Sequence, residues 1–274
     1  MKFLLTAINA KFIHSNPAIY SLRAGVGEKL QPYVELAEFT INESLESILE
    51  GIWKRQPKVI GFSCYIWNWK LIRELLIELP KILPDTEIWL GGPEVTYDGP
   101  GLLREFPQVT GIMVGEGEVT FREVLDQYVR EAESTGQSEQ QPESDSTEQQ
   151  AADRMGTVAG KSVAERFGQI PGLCLASGYT APRELTDLTT LPFLYEDMEP
   201  FTNRIIYYET SRGCPYRCSY CLSSIDKKVR LRDIDVVKRE LQFFLDQNVK
   251  QVKFIDRTFN CDHKHAMEIW EYIY

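Results

Sequence analysis

"KVIGFSCY", residues 58–65, is an almost unbroken apolar run. A strand reads this way when helices cover both faces of a parallel sheet. Working outward, similar short runs recur at "KFLLTAI" (2–8), "YVELAEF" (33–39), "EIWLGG" (87–92) and "VTGIMVG" (109–115). Helical segments lie between them. In "NPAIYSLRAGVGEKL" (16–30), Asn16 can cap, Pro17 suits the first helical position, and Ile19, Leu22, Val26 and Leu30 share one face. Asn42 is the expected cap of "ESLESILEGIWKR", and "KLIRELLIELPKIL" is a helix interrupted or bent at Pro80. "VTFREVLDQYVREA" supplies the last helix. Five strands alternating with helices within residues 1–130 predict an α/β fold: a doubly wound parallel sheet of flavodoxin-like or Rossmann-like winding. Ligands of such sheets bind beyond the carboxyl ends of the strands. The loops to watch are therefore 9–16, 63–69, 91–99 and 115–120.

Composition sets the class. The chain has 274 residues, 43% hydrophobic and 11% aromatic, as soluble globular proteins do. No apolar run reaches the ~18 residues of a spanning helix, and "MKFLLTAINAKF" is too short for a signal peptide. A cytoplasmic protein without membrane contact is expected. In that reducing compartment six cysteines point to metal or redox chemistry rather than disulfides. Cys64 and Cys174, alone in apolar surroundings, read as core residues. Residues 131–153 hold seven acidic residues and no basic one, so most of the net charge of −10 resides there. No nucleic-acid-binding patch is evident.

Beyond residue 130 the rhythm breaks. Residues 131–166, rich in Ser, Gln and Glu, read as a disordered acidic insertion, because they bury too little to offset chain entropy. Residues 167–204 read as a connector, with "GLCLASG" as a strand. The pattern resumes over 205–274 with "IIYYET", "DIDVVKRELQFFLDQNV", "QVKFIDRTFN" and "KHAMEIWEYIY". Two βα units fall short of the roughly eight of a closed parallel barrel. The expectation is the front portion of a longer protein.

Between the first of these strands and its helix lies "ETSRGCPYRCSYCLSS" (209–224), with Cys214, Cys218 and Cys221 spaced Cys-x3-Cys-x2-Cys. A four-iron cube normally takes four thiolates; three leave one iron open to a small molecule. A zinc site is the alternative, with Cys261, His263 or His265 as fourth ligand. Structural zinc more often uses paired Cys-x2-Cys knuckles, so the cluster fits this spacing better.

Cys214-x3-Cys218-x-Tyr220-Cys221 resembles the signature of radical S-adenosylmethionine (radical SAM) enzymes, including the aromatic before the third cysteine. The sheet ahead of it resembles a cobalamin (vitamin B12)-binding domain, as in the cobalamin-dependent branch of that family. The resemblance implies that the three cysteines ligate a [4Fe-4S] cluster. Its open iron would bind S-adenosyl-L-methionine and cleave it reductively to methionine and a 5′-deoxyadenosyl radical. Tyr220 would lie near the adenine. "FIDRTFN" (254–260) stands where relatives carry a glycine-rich turn, so Asp256 is a candidate contact for the substrate amino group, helped by Asn260. The plainer reading has Asp256 pairing with Arg257 or capping a turn.

For cobalamin, Ser63 matches at the end of the third strand, and Gly91 and Gly92 match at the end of the fourth, where missing side chains admit a nucleotide tail. Gly115 and Gly117 match at a helix start whose amides can meet a polar group. Tyr65, Trp67 and Trp69 either pack against a corrin ring or cover the sheet edge. The histidine-ligand motif Asp-x-His-x-x-Gly is absent from "KFIHSNPAI", so His14 is expected to order its loop. The implied activity is methylation or another modification of an unactivated carbon, fed by a reducing donor such as flavodoxin or ferredoxin. Neither the substrate nor a catalytic side chain is singled out. The competing class is a non-enzymatic cobalamin- or nucleotide-binding module with structural zinc or an electron-transfer cluster.

Overall fold

The computed structural model describes residues 1–138, 161–224 and 228–274. They form two compact units: Met1–Ala10 with Ala18–Glu184, and Lys11–Pro17 with Leu185–Tyr274.

In the first unit the strands are β1 (Phe3–Asn9), β2 (Val34–Thr40), β3 (Val59–Ser63), β4 (Glu87–Gly91) and β5 (Val109–Met113). They are parallel and run in the order β2-β1-β3-β4-β5, the flavodoxin-like winding. Alternate residues of β1 serve opposite faces. Leu4 and Ile8 join Ile60, Phe62, Ile72, Leu75 and Leu76 beneath α2 (Leu45–Trp53), α3 (Trp69–Ile82) and α4 (Gly99–Glu105). Phe3, Leu5 and Ala7 join Ile19, Trp89, Phe121 and Phe167 beneath α1 (Pro17–Gly25), α5 (Gly117–Ser138) and α6 (Val163–Phe167). Two β-turn-linked strands, β6 (Leu173–Leu175) and β7 (Gly178–Tyr179), extend the sheet antiparallel to β5. Cys64 and Cys174 are fully buried core residues, and burial pushes both thiols up.

Several local expectations are corrected. The cap of α2 is Ser44 rather than Asn42; its Oγ accepts from the Ser47 amide at 3.2 Å. Helix α3 is not interrupted at Pro80 and runs on to Ile82. Proline costs the helix the bond to the Leu76 carbonyl, and Gln108 Nε2 donates to that carbonyl instead at 2.7 Å. Helix α4, absent from the sequence reading, forms from "GPGLLRE" because Leu102 and Leu103 bury against the sheet.

The insertion expected over 131–166 is ordered at both ends. Residues 131–138 continue α5, and α6 begins at Val163 with a capping box between Ser162 and Glu165. The reason is Arg166, whose buried guanidinium bonds Glu87 and Glu131, each at 2.9 Å, and lies over Tyr128 and Phe167. Burial opposes its charge, but the two carboxylates more than offset this and hold its pKa above the usual value. Residues 139–160 lie outside the described residues. The connector expected over 167–204 divides at Glu184, its first part joining the sheet.

In the second unit β8 (Ile206–Tyr208) pairs in parallel with β11 (Val252–Phe254), across α7 (Ile234–Asp246). Helix α8 (His263–Ile273) follows. Between β8 and α7, β9 (Ser211–Arg212) and β10 (Arg230–Leu231) pair antiparallel. Phe193 and Tyr195 pack against Phe244 of α7, and Phe201 packs edge-on against Tyr195. Beneath them Arg232 binds Glu240 Oε1 at 2.5 Å, and the Tyr208 hydroxyl donates to Glu240 Oε2 at 2.5 Å. Burial, then Glu240, drives the Tyr208 phenol far up, so it stays a donor. No helix among the described residues is long and apolar enough to cross a membrane.

Candidate functional site

In the first unit the candidate residues gather at the carboxyl ends of β3, β4 and β5. Ser63 faces Gly91 in the β3–β4 register, and Gly91 faces Met113 in β4–β5. The next turn of chain is tightly packed. The Cys64 amide donates to the Gly91 carbonyl at 2.7 Å, and Gly92 has φ +111° with no room for a side chain. A Cβ there would stand 2.5 Å from the Cys64 carbonyl oxygen. Gly115, at φ +78°, has open space where a Cβ would project, and Gly117 opens α5 against Leu22. The Glu118 carboxylate occupies the first turn of α5 and accepts from Ser21 Oγ at 3.4 Å, so a neutral polar group suits this helix start better than an anion.

Asn68, not singled out in the sequence, organises this rim. Fully buried, its Nδ2 donates to the Ile8 carbonyl at 3.0 Å and the Ser63 carbonyl at 2.9 Å, while Oδ1 accepts from the Tyr65 amide at 2.8 Å. The ends of β1 and β3 are thereby tied to the loop between β3 and α3. Asn68 stands directly before α3 but makes no side-chain capping bond to it, so helix-start preferences carry no signal for these bonds. Tyr65 and Trp67 stack at 4.4 Å on this loop, with Trp67 half exposed, whereas Trp69 turns into the core against Phe106.

In the second unit the cysteine stretch is a loop pinched at its neck by β9 and β10. Gly213 adopts φ +98°, and a Cβ would fall 2.4 Å from the Lys228 carbonyl oxygen. Asp256, just after β11, secures the other side of the neck. Its Oδ1 accepts from Thr210 Oγ1 at 2.7 Å, Ser211 Oγ at 2.6 Å and the Thr210 amide at 3.2 Å. The carboxylate thus holds the strand leading into the cysteine loop rather than pairing with Arg257.

Cys214 and Cys221 are half-buried and Cys218 is exposed; none of the six cysteines is in a disulfide. Cys214 Sγ lies 3.6 Å from Thr258 Oγ1. The Cys221 amide donates to the Cys218 carbonyl at 3.1 Å, which folds the Cys-x2-Cys segment into a turn. Tyr220 projects from that turn, 91% exposed. Three thiols on one loop at a strand end are a donor set that suits iron–sulfur ligation. Among the described residues, no three His, Cys, Asp or Glu side chains converge on a single ion position. His265 is buried; Asp262 caps α8 by accepting from the His265 amide at 2.9 Å. His14 lies in the second unit, where Nδ1 pairs with the Tyr207 hydroxyl at 2.5 Å and the Ile205 amide donates to the Ile13 carbonyl.

Residues 4–125 match the model of the B12 binding domain. An uncharacterized methyltransferase from Pyrococcus horikoshii is 28% identical over 187 residues, which is 66% of this chain and 35% of that protein. The cobalamin-dependent radical SAM methyltransferase TokK from Streptomyces tokunonensis is 28% identical over 226 residues, 74% of this chain and 28% of its own. The chain therefore spans about a third of the length of the curated relatives it matches. Among solved structures, the cobalamin-dependent S-adenosylmethionine radical enzyme OxsB superposes with a TM-score of 0.66 at 16% identity, covering 98% of this chain and 37% of that one. Residues 4–125 thus match a B12 binding domain, and the chain is similar over part of its length to proteins described as methyltransferases, among them a cobalamin-dependent radical SAM methyltransferase.

Proposed function

We propose that this chain belongs to an enzyme that methylates an unactivated carbon by radical chemistry, using cobalamin, S-adenosyl-L-methionine and a [4Fe-4S] cluster. One observation carries the reading: a B12 binding domain and a pinched three-cysteine loop at a strand end occur in one chain. Cobalamin and the cluster, when bound, supply a methyl group and the electron that cleaves S-adenosyl-L-methionine.

The protein's own residues hold and orient. Cys214, Cys218 and Cys221 provide the thiolates, on a loop whose neck is set by Gly213 and Asp256. Tyr220 lies open for an adenine ring to cover. In the first unit Ser63, Gly91 and Gly92 line the rim reserved for the nucleotide tail of cobalamin, and Gly115 and Gly117 its far side. With His14 engaged by Tyr207, no side chain is assigned as lower cobalt ligand. A reducing partner such as flavodoxin or ferredoxin supplies electrons. The test is anaerobic reconstitution with iron, sulfide and hydroxocobalamin. About four irons per chain with bound cobalamin supports the reading. A folded chain that takes zinc and no iron overturns it.

A further inference from the structure

The loop after β11 does more than close a turn. Thr258 holds its Oγ1 3.6 Å from Cys214 Sγ, and both partners are fixed by backbone. On one side the Cys261 amide donates to the Thr258 carbonyl at 3.0 Å. On the other, Cys214 follows the constrained Gly213, whose neck is tied by Asp256 to Thr210 and Ser211. We propose that Thr258 is a positioning residue that donates a hydrogen bond to the Cys214 sulfur and so raises the reduction potential of the cluster. This rests on the reading of the cysteine loop given above.

The direction follows from charge. In the bare chain either atom can donate. Once the sulfur ligates iron it carries no proton, and only the Thr258 hydroxyl can donate. Reduction adds one negative charge, which a donor to a ligating sulfur stabilises, so the potential rises. An aliphatic group of the same shape removes the donor and leaves the packing.

The experiment compares the wild-type chain, Thr258→Val and Thr258→Ser after anaerobic reconstitution with iron and sulfide. Iron and sulfide content is measured first, then the midpoint potential by a titration followed by electron paramagnetic resonance. Thr258→Val is expected to keep its iron while its reduced-to-oxidised ratio at fixed potential falls about tenfold, equivalent to about 59 mV for one electron. Thr258→Ser should return to the wild-type value. Full iron content with an unchanged potential in Thr258→Val overturns the inference while leaving the cluster reading intact. Loss of iron from Thr258→Val alone also overturns it, making Thr258 a retention residue. A wild-type chain without iron and sulfide defeats the cluster reading itself.

Discussion

Replacing Asn68 by alanine tests whether one buried amide holds the rim of the first unit's sheet together. The side chain makes three hydrogen bonds in a fully buried position, two to carbonyls at the ends of β1 and β3 and one from the Tyr65 amide. Each such bond contributes about 1 kcal/mol net, so the loss amounts to ~3 kcal/mol, with water entry reducing it and desolvated carbonyls increasing it. For a unit of this size that lowers Tm by roughly 6–12 °C. Urea unfolding followed by far-ultraviolet circular dichroism should show the midpoint falling with an unchanged slope. Cobalamin affinity should fall too, because the loop carrying Tyr65 and Trp67 loses its anchor. Asn68→Asp should be worse, since it aims a carboxylate at the Ile8 and Ser63 carbonyls. A stability loss below about 0.5 kcal/mol, within the range of ordinary surface substitutions, would refute the clamp.

Gly213→Ala should impair cluster loading, because its Cβ would meet the Lys228 carbonyl oxygen at 2.4 Å from a positive-φ backbone; iron per chain after reconstitution checks this. Gly92→Ala should cost about 1–3 kcal/mol in strain and weaken cobalamin binding in equilibrium dialysis without lowering iron content. Alkylation by iodoacetamide followed by mass mapping should modify exposed Cys218 in the native chain. Cys64 and Cys174 should react only after unfolding, since both are fully buried and burial raises their thiols.

The doubly wound sheet was legible because its central strands are short apolar runs covered on both faces, as in "KVIGFSCY", where Ile60 and Phe62 point to the same core. The cysteine spacing was legible because it is local. What escaped depends on residues distant in sequence. Helix α4 has two glycines and a proline, and it forms only because the sheet accepts Leu102 and Leu103. Strands β9 and β10 are two residues each, and their pairing needs the cysteine loop between them to fold back. The ordered α6 depends on Arg166 finding Glu87, 79 positions away. For Thr258, no spacing rule links it to Cys214, 44 positions earlier.

The most direct measurement is electron paramagnetic resonance of the reconstituted, reduced chain with and without S-adenosyl-L-methionine. The expected result is a [4Fe-4S] signal that shifts when that molecule is added and is lost in Cys218→Ala. A reduced cluster whose spectrum ignores S-adenosyl-L-methionine would mean that no iron is open to it, and that the three-cysteine loop does not serve radical chemistry.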